Sequence, residues 1–291
     1  MSSMTPLTSI QDQKQKAALL LDLHHSGKLL ILPNIWDSLG AMLLEDIGYA
    51  AIATASASVA LANGYDDGEN ISFAELISIL KKVASSVNVP VTADIESGYA
   101  DNGGQLKKNI QQLIEAGIAG INIEDTDKQT KSLLPVEVQC ERIKLIKNIC
   151  EDMNTSLVIN ARTDVYLRNG DNSSSVSKLE ETIKRGHAYK AAGADCFYPI
   201  TMHNADEISY TVQQLQMPVN VIMMPGIPGL QDLQNMGVAR VSLGPGFLKI
   251  AIQAMKNLAV KLQQYEGLSD VTSNEITSPY LKGLVNKNRK T

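Results

Sequence analysis

Carboxylates gather at places where this sequence should be burying apolar side chains. The stretch from Val91, VTADIESGYADNGG, runs an apolar segment into Asp94 and Glu96 and then into a glycine-studded loop. Side chains two apart on a strand point the same way, so this pair is expected on one side of its strand. Other apolar segments end alike: Thr54 and Ser56; Asn122, Glu124 and Asp125; Asn160, Arg162 and Asp164. Asp37 follows Trp36 after the first such segment, and Asp67 lies in NGYDDGEN after the second. Anions crowded at one rim cannot all stay ionised without a cation, and one arginine is too few. Oxygen ligands without a histidine or cysteine cluster favour Mg²⁺, which takes one or two carboxylates and keeps its waters. Asp94 and Glu96 are therefore expected to hold a magnesium ion, directly or through water. The alternative use of a strand-end aspartate is to cap the next helix. Gly98 and Gly103, lying where that helix should start, argue instead for a loop left open to a ligand. Arg162, at the end of a buried strand, must pair with a carboxylate, a neighbour's or a substrate's, and the substrate is the favoured partner.

The elements that must position these residues alternate regularly. Strand-like runs are KLLILPNIW, YAAIATAS, VPVTADIE, AGINIED, SLVINARTD, ADCFYPI, PVNVIMMP and ARVSLGP. Each is short, rich in β-branched residues and nearly continuously apolar, as in parallel strands covered on their outer face by helices. Helical patterns lie between them, with Asp37 and Ser72 as N-caps, Pro135 in a first turn, and Gly48, Gly117, Gly193 and Gly237 just past last turns. Eight strand–helix units predict an α/β fold, a single-domain (β/α)8 TIM-type barrel over residues 14–265, with a C-terminal tail or helical arm, expected to be exchanged between subunits, over 266–291. The rival, a doubly wound open sheet, lacks its G-x-G-x-x-G marker. In such a barrel the C-terminal strand ends, where the carboxylates fall, carry the active site.

Composition narrows the partners. Hydrophobic residues make up 44% and charged residues 20% of the 291, the balance of a globular protein. The formal charge of -5 and the absence of a basic stripe argue against nucleic acid. No signal-peptide order is present at the start, and the run AALLLDL is too short to span a bilayer, so no membrane role and a cytoplasmic location are expected. Cys140, Cys150 and Cys196 form no C-x-x-C pair and read as free thiols. The histidines, His24, His25, His187 and His203, have no metal-like or triad spacing. No strand ends in a lysine for imine chemistry, and no G-x-S-x-G elbow occurs. MPGIPG and LGPG could grip phosphate on backbone N–H groups, or simply turn the chain.

The order of LPNIWDSLGAMLLEDIGYAAIATASASVA, NGYDDGE, ADIESGYA, GINIEDT, NARTDVYL and AGADCFYP resembles the isocitrate lyase/phosphoenolpyruvate mutase superfamily, from about Leu32 to the helix after Gly246. That resemblance implies a (β/α)8 barrel, a homotetramer with its last helix exchanged between neighbours, and chemistry beside a 2-oxo carboxylate on Mg²⁺, with Mn²⁺ as a substitute. It implies Asp94 as direct metal ligand, Glu96 as its companion, and Asp67 and Glu124 on metal-bound waters. Arg162 would hold the substrate carboxylate, with Ala55 and Ser56 gripping it, Trp36 and Asn160 completing the substrate site, and Tyr99 beside the metal. Arg162, Glu124 and Tyr99 form the expected catalytic set. Two stretches depart from the pattern. The lyase Lys-Lys-Cys-Gly-His loop is missing, and the mutase gating loop is reduced to DTDKQTKSLLPVE. The implied activity is cleavage of a C–C or P–C bond, with oxaloacetate as the substrate guess. Phosphonopyruvate hydrolase, methylisocitrate lyase-like activity and a non-catalytic barrel that binds 2-oxo acids are the alternatives.

Overall fold

The computed structural model describes residues 9–167 and 175–287. All strand pairs are parallel. The strands are β1 (Leu30–Leu32), β2 (Asn34–Ile35), β3 (Ile52–Thr54), β4 (Val91–Asp94), β5 (Gly120–Glu124), β6 (Val158–Thr163), β7 (Cys196–Pro199), β8 (Asn220–Ile222) and β9 (Arg240–Ser242). Hydrogen bonding follows the orders β2-β3-β4-β5-β6-β7 and β1-β9-β8. Pro33, which has no N–H to give, separates β1 from β2, so one barrel strand is split between two partners. Its carbonyl still accepts from Ala53 at 3.0 Å. A parallel bridge between Phe197 and Val219 joins β7 to β8 and closes the ring. The fold is thus the eight-stranded parallel barrel expected from the sequence.

The helices are α1 (Ile10–His24), α2 (Ser38–Ile47), α3 (Ser56–Ala62), α4 (Phe73–Ala84), α5 (Gly103–Glu115), α6 (Val136–Asp152), α7 (Ser175–Ala192), α8 (Ala205–Leu215), α9 (Leu230–Asn235), α10 (Gly246–Gln263), α11 (Leu268–Thr272) and α12 (Ser278–Lys287). Asp37 caps α2 by accepting from the Gly40 N–H at 2.7 Å, and Gly48 ends it at φ 101°, a left-handed conformation that costs glycine little. The apolar faces of α4, α5 and α6 pack Leu80, Ile110 and Ile146 against the outward side chains of β4 to β6, such as Ile121 and Ile159.

Two helices lie where none was expected. α1 closes the N-terminal end of the barrel, with Ala17 and Leu20 packed on Leu30, Ala51 and Val158. It is pinned there by Gln13, which donates to the Ile118 and Ser156 carbonyls at 2.8 and 2.9 Å. α3 begins directly after β3. At the other end, the expected helical arm forms α11 and α12. α12 lies on α2, with Leu284 buried and Lys287 2.7 Å from Asp46. α10 leaves Ile250, Ile252 and Met255 exposed in the single chain. Residues 1–8 and 288–291, within the expected N-terminal and tail segments, lie outside the described residues.

Candidate active site

Strand register assembles the mouth of the barrel. Asp94, Asn122, Asn160 and Cys196 stand abreast, and one pleat above them stand Glu124, Arg162 and Tyr198. Both rows face inward. Arg240 on β9 reaches across to donate to Asn122 Oδ1 at 3.2 Å, although β9 and β5 are not neighbours. Side chains two apart share a face, so Glu124 lies inward above Asn122, and its lateral partners Arg162 and Tyr198 lie inward with it.

Arg162 is the best-anchored group. Its Nε and Nη2 donate to Asp164 at 2.7 and 3.2 Å, and its Nη1 lies 2.8 Å from Glu124. In this structure, then, neighbours' carboxylates pair with the guanidinium that the sequence reading assigned to substrate. A buried cation cannot wait unpaired, and Asp164 is two residues away on the same face. Glu124, Asp164 and Asp94 hold Arg162 firmly in its charged form. Asp164 is itself fixed by Thr126 Oγ1 at 2.6 Å.

Asp94 ends β4 and is in a different state. Its Oδ2 accepts from Ser56 Oγ at 3.3 Å and its Oδ1 from the Glu96 N–H at 3.2 Å. Burial pushes its pKa up, against the pull of Arg162 and with the help of Asp67. Glu96 is pushed to about 7, chiefly by burial and then by the charges of Asp67 and Asp94. Burial also raises Glu124, opposed by Arg162 and reinforced by Asp164, Asp94 and Glu96. Five carboxylates, Asp67, Asp94, Glu96, Glu124 and Asp164, therefore crowd one mouth, and among the described residues the cation paired within it, Arg162, is engaged by Glu124 and Asp164.

Two expected geometries are corrected. Glu96 is not on β4, because the strand stops at Asp94 and Glu96 turns into the left-handed region at φ 50°. Ser56 is not on β3 either; it is the first residue of α3, behind Ala55 at the N-cap. Both reach the mouth by way of turns instead of strand alternation. The turn after β4 carries three left-handed residues, Glu96, Gly98 and Tyr99, of which only the glycine adopts that conformation freely. A Cβ on Gly98 would meet Leu106 at 3.0 Å and Arg142 at 3.2 Å. Glu69 holds this turn, accepting from Ser97 Oγ at 2.5 Å and from the Tyr99 N–H at 2.9 Å. Tyr99 Oη in turn donates to Glu96 at 3.1 Å. Gly103, expected in the open loop, instead begins α5 behind Asn102.

The remaining expected residues sit as follows. Asp67 is close enough to load Asp94 and Glu96 electrostatically. Asn160 is buried below Arg162, donating to Asn122 at 2.7 Å while its Oδ1 has no partner. Trp36 is half-buried after β2 and packed on the main core. Sequence reasoning missed Glu69, Tyr198 and Arg240. Glu69 stands two residues after Asp67 in the same loop, and Arg240 is a charge inside an apolar run, so both left a signal.

Among the described residues, no three acidic, histidine or cysteine side chains converge on one point. A hydrated Mg²⁺ needs only one or two direct carboxylates, and an excess of buried negative charge calls for a cation. Asp94 and Glu96, with Asp67 and Glu124 around them, fit an ion that keeps its water better than they fit a dry cage.

A closed parallel barrel with a carboxylate-rich mouth around one arginine defines the class of protein. The model of the family described as phosphoenolpyruvate phosphomutase matches residues 20–263. The uncharacterized protein Rv1998c of Mycobacterium tuberculosis is 34% identical over 77% of this chain and 80% of its own. A solved structure from Burkholderia cenocepacia is 34% identical, with a TM-score of 0.80 over 87% of this chain and 99% of its own. The 2-methylisocitrate lyase of Bacillus subtilis is 25% identical over 90% of this chain and 88% of its own. Other relatives are named phosphoenolpyruvate phosphomutase and oxaloacetate decarboxylase. This chain belongs to the phosphoenolpyruvate phosphomutase family. The named members are lyases and mutases. No described helix is long and apolar enough to cross a membrane.

Proposed function

We propose that this chain is a Mg²⁺-dependent lyase that cleaves the C–C bond next to the 2-oxo carboxylate of a small 2-oxo dicarboxylate of the oxaloacetate type. The observation that carries this reading is the charge imbalance of the mouth, where Asp94, Glu96 and Asp67 lack the cation that Arg162 supplies to Glu124 and Asp164. Asp94 and Glu96 would hold the metal, with Asp67 and Glu124 on its waters; Mn²⁺ would serve in its place. Once bound, the metal would draw electron density from the 2-oxo oxygen as the bond breaks. Arg162, braced along one edge by Asp164, presents a fixed charge to the substrate carboxylate and needs no reorganisation as charge develops. Ser56, whose Oγ lies 3.3 Å from Asp94 at the start of α3, and Ala55 before it would grip the same carboxylate. Trp36 and Asn160 bound the substrate space, and Tyr99 holds Glu96 in place.

The cysteines fit a reaction without a thiol. Cys140 and Cys150 lie on α6, and Cys196 lies below the mouth with its thiol pushed by burial to about 12. That weighs against methylisocitrate lyase-like chemistry. The exposed apolar residues of α10 support a homotetramer, a dimer of dimers in which this helix is exchanged between neighbours. A cytoplasmic location completes the reading.

The test is turnover of oxaloacetate with Mg²⁺ and with EDTA. Metal-dependent release of CO₂ or of oxalate is expected. Binding of oxalate without turnover of any 2-oxo dicarboxylate would move the protein to a non-catalytic role.

A further inference from the structure

None of the roles assigned so far protonates the carbon from which the leaving group departs. Glu124 and Asp164 pair with Arg162, the reading above assigns Asp94, Glu96 and Asp67 to the metal, and Cys196 lies one pleat lower. Tyr198 is the remaining polar side chain in the upper row. It lies abreast of Arg162 on the inward face of β7, while its neighbour Phe197 turns outward to pack its ring, tilted, against Tyr189 with centroids 6.2 Å apart. Tyr198 is 4% exposed. Its hydroxyl makes no hydrogen bond with any described residue, yet it is not among the polar atoms sealed from solvent without a partner. Its register with Arg162 puts it on the inward face of the barrel, level with the Glu124–Arg162 pair. A phenol whose O–H has no partner among the described residues, abreast of Arg162, is placed to act on substrate.

We propose that Tyr198 is a catalytic residue, the acid that delivers a proton to the substrate carbon left by bond cleavage. This role rests on the lyase reading above. As CO₂ leaves, the bonding electron pair passes into an enolate. The O–H bond of Tyr198 then breaks as a C–H bond forms on the enolate carbon, and the phenolate regains its proton from solvent. Burial keeps the phenol protonated at rest. Arg162 and Arg240 favour the phenolate in passing, against Asp94 and Asp164. Arg240 is suited to this because it is fully buried, its nearest partners are the neutral Ser242 and Asn122, and its Nη1 has no partner.

Tyr198→Phe, which removes only the oxygen, is tested on 3-methyl-oxaloacetate with Mg²⁺ in D₂O. Wild type is expected to place deuterium at C3 on one face. The variant should lose on the order of 10²-fold in kcat, bind oxalate as wild type does, and release product with deuterium on both faces. One-face labelling at near wild-type kcat in the variant would overturn the role of Tyr198 while leaving the lyase reading intact. Absence of turnover by wild type on any 2-oxo dicarboxylate overturns both. If the variant unfolds, 3-fluorotyrosine at position 198 replaces it, and a kcat indifferent to the more acidic phenol is the overturning result.

Discussion

Glu124 and Asp125 are adjacent carboxylates on the same strand end, and their surroundings could hardly differ more. Asp125 points outward from the barrel and is fully buried. It accepts from Thr163 Oγ1 at 2.7 Å, the Asp164 N–H at 3.0 Å, Arg185 Nη1 at 2.9 Å and Tyr189 Oη at 2.7 Å. Four donors saturate it, and the network ties α7 to β5 and β6 directly behind Arg162. Glu124 points inward, meets one guanidinium, and is pushed toward its neutral form by burial and by other acids. A buried carboxylate with every lone pair answered is scaffold; a group of them short of donors and cations is a site awaiting a ligand. The local sequence Glu-Asp gives the same chemistry to both faces, and strand alternation alone decides which becomes which.

The contrast is broken most severely by Asp125→Ala. It strands Arg185 and Tyr189 in the interior and is expected to cost about 3–5 kcal/mol, lowering Tm by roughly 10 °C; thermal unfolding measures it. An unchanged Tm would remove the distinction between the two faces. Arg162→Lys comes next. An ammonium cannot span Asp164 and Glu124 as the planar fork does, so kcat/KM should fall on the order of 10²-fold with a smaller loss of stability. Steady-state kinetics with oxaloacetate would show it.

The smallest expected effect is a pH dependence of the metal-free protein. Glu96 is raised in the folded state, so its contribution is present at low pH and lost as pH climbs through about 7. Glu124 is shifted in the same direction. His24 acts oppositely: burial lowers it from 6.5 to about 4, and its contribution is lost only as pH falls through that window. Between pH 6.5 and 8 the carboxylates therefore outweigh His24, and the protein in EDTA should lose about 1 kcal/mol. Mg²⁺ should abolish that loss. Stability in EDTA that rises over this range would contradict the assigned charge imbalance.

Much of this was legible in the sequence. The eight-fold alternation, the caps at Asp37 and Ser72 and the helix-ending glycines are local signals with local causes. The set of Asp94, Glu124 and Arg162 was readable because three strand ends carry charge where strands carry apolar residues. What was not legible depends on contacts distant in the chain. SASVALA is too short to show a helical period, so α3 was invisible and Ser56 was placed on a strand. α1 is held by Gln13 on carbonyls more than a hundred residues away. The partner of Arg162 could not be chosen from sequence, since neighbour and substrate offer the same carboxylate. Tyr198 escaped notice because an aromatic residue in an apolar strand looks like core until its register with Arg162 is known.

The central claim is that Asp94 organises a cation and a 2-oxo acid at one point. The most direct measurement is calorimetric binding of oxalate in the presence of Mg²⁺ to wild type and to Asp94→Ala, each first shown to be folded. Wild type should bind only with the metal, and the variant should bind neither metal nor oxalate while unfolding at an equal or higher temperature. Oxalate affinity that survives the loss of Asp94, or that needs no metal in wild type, would contradict the account.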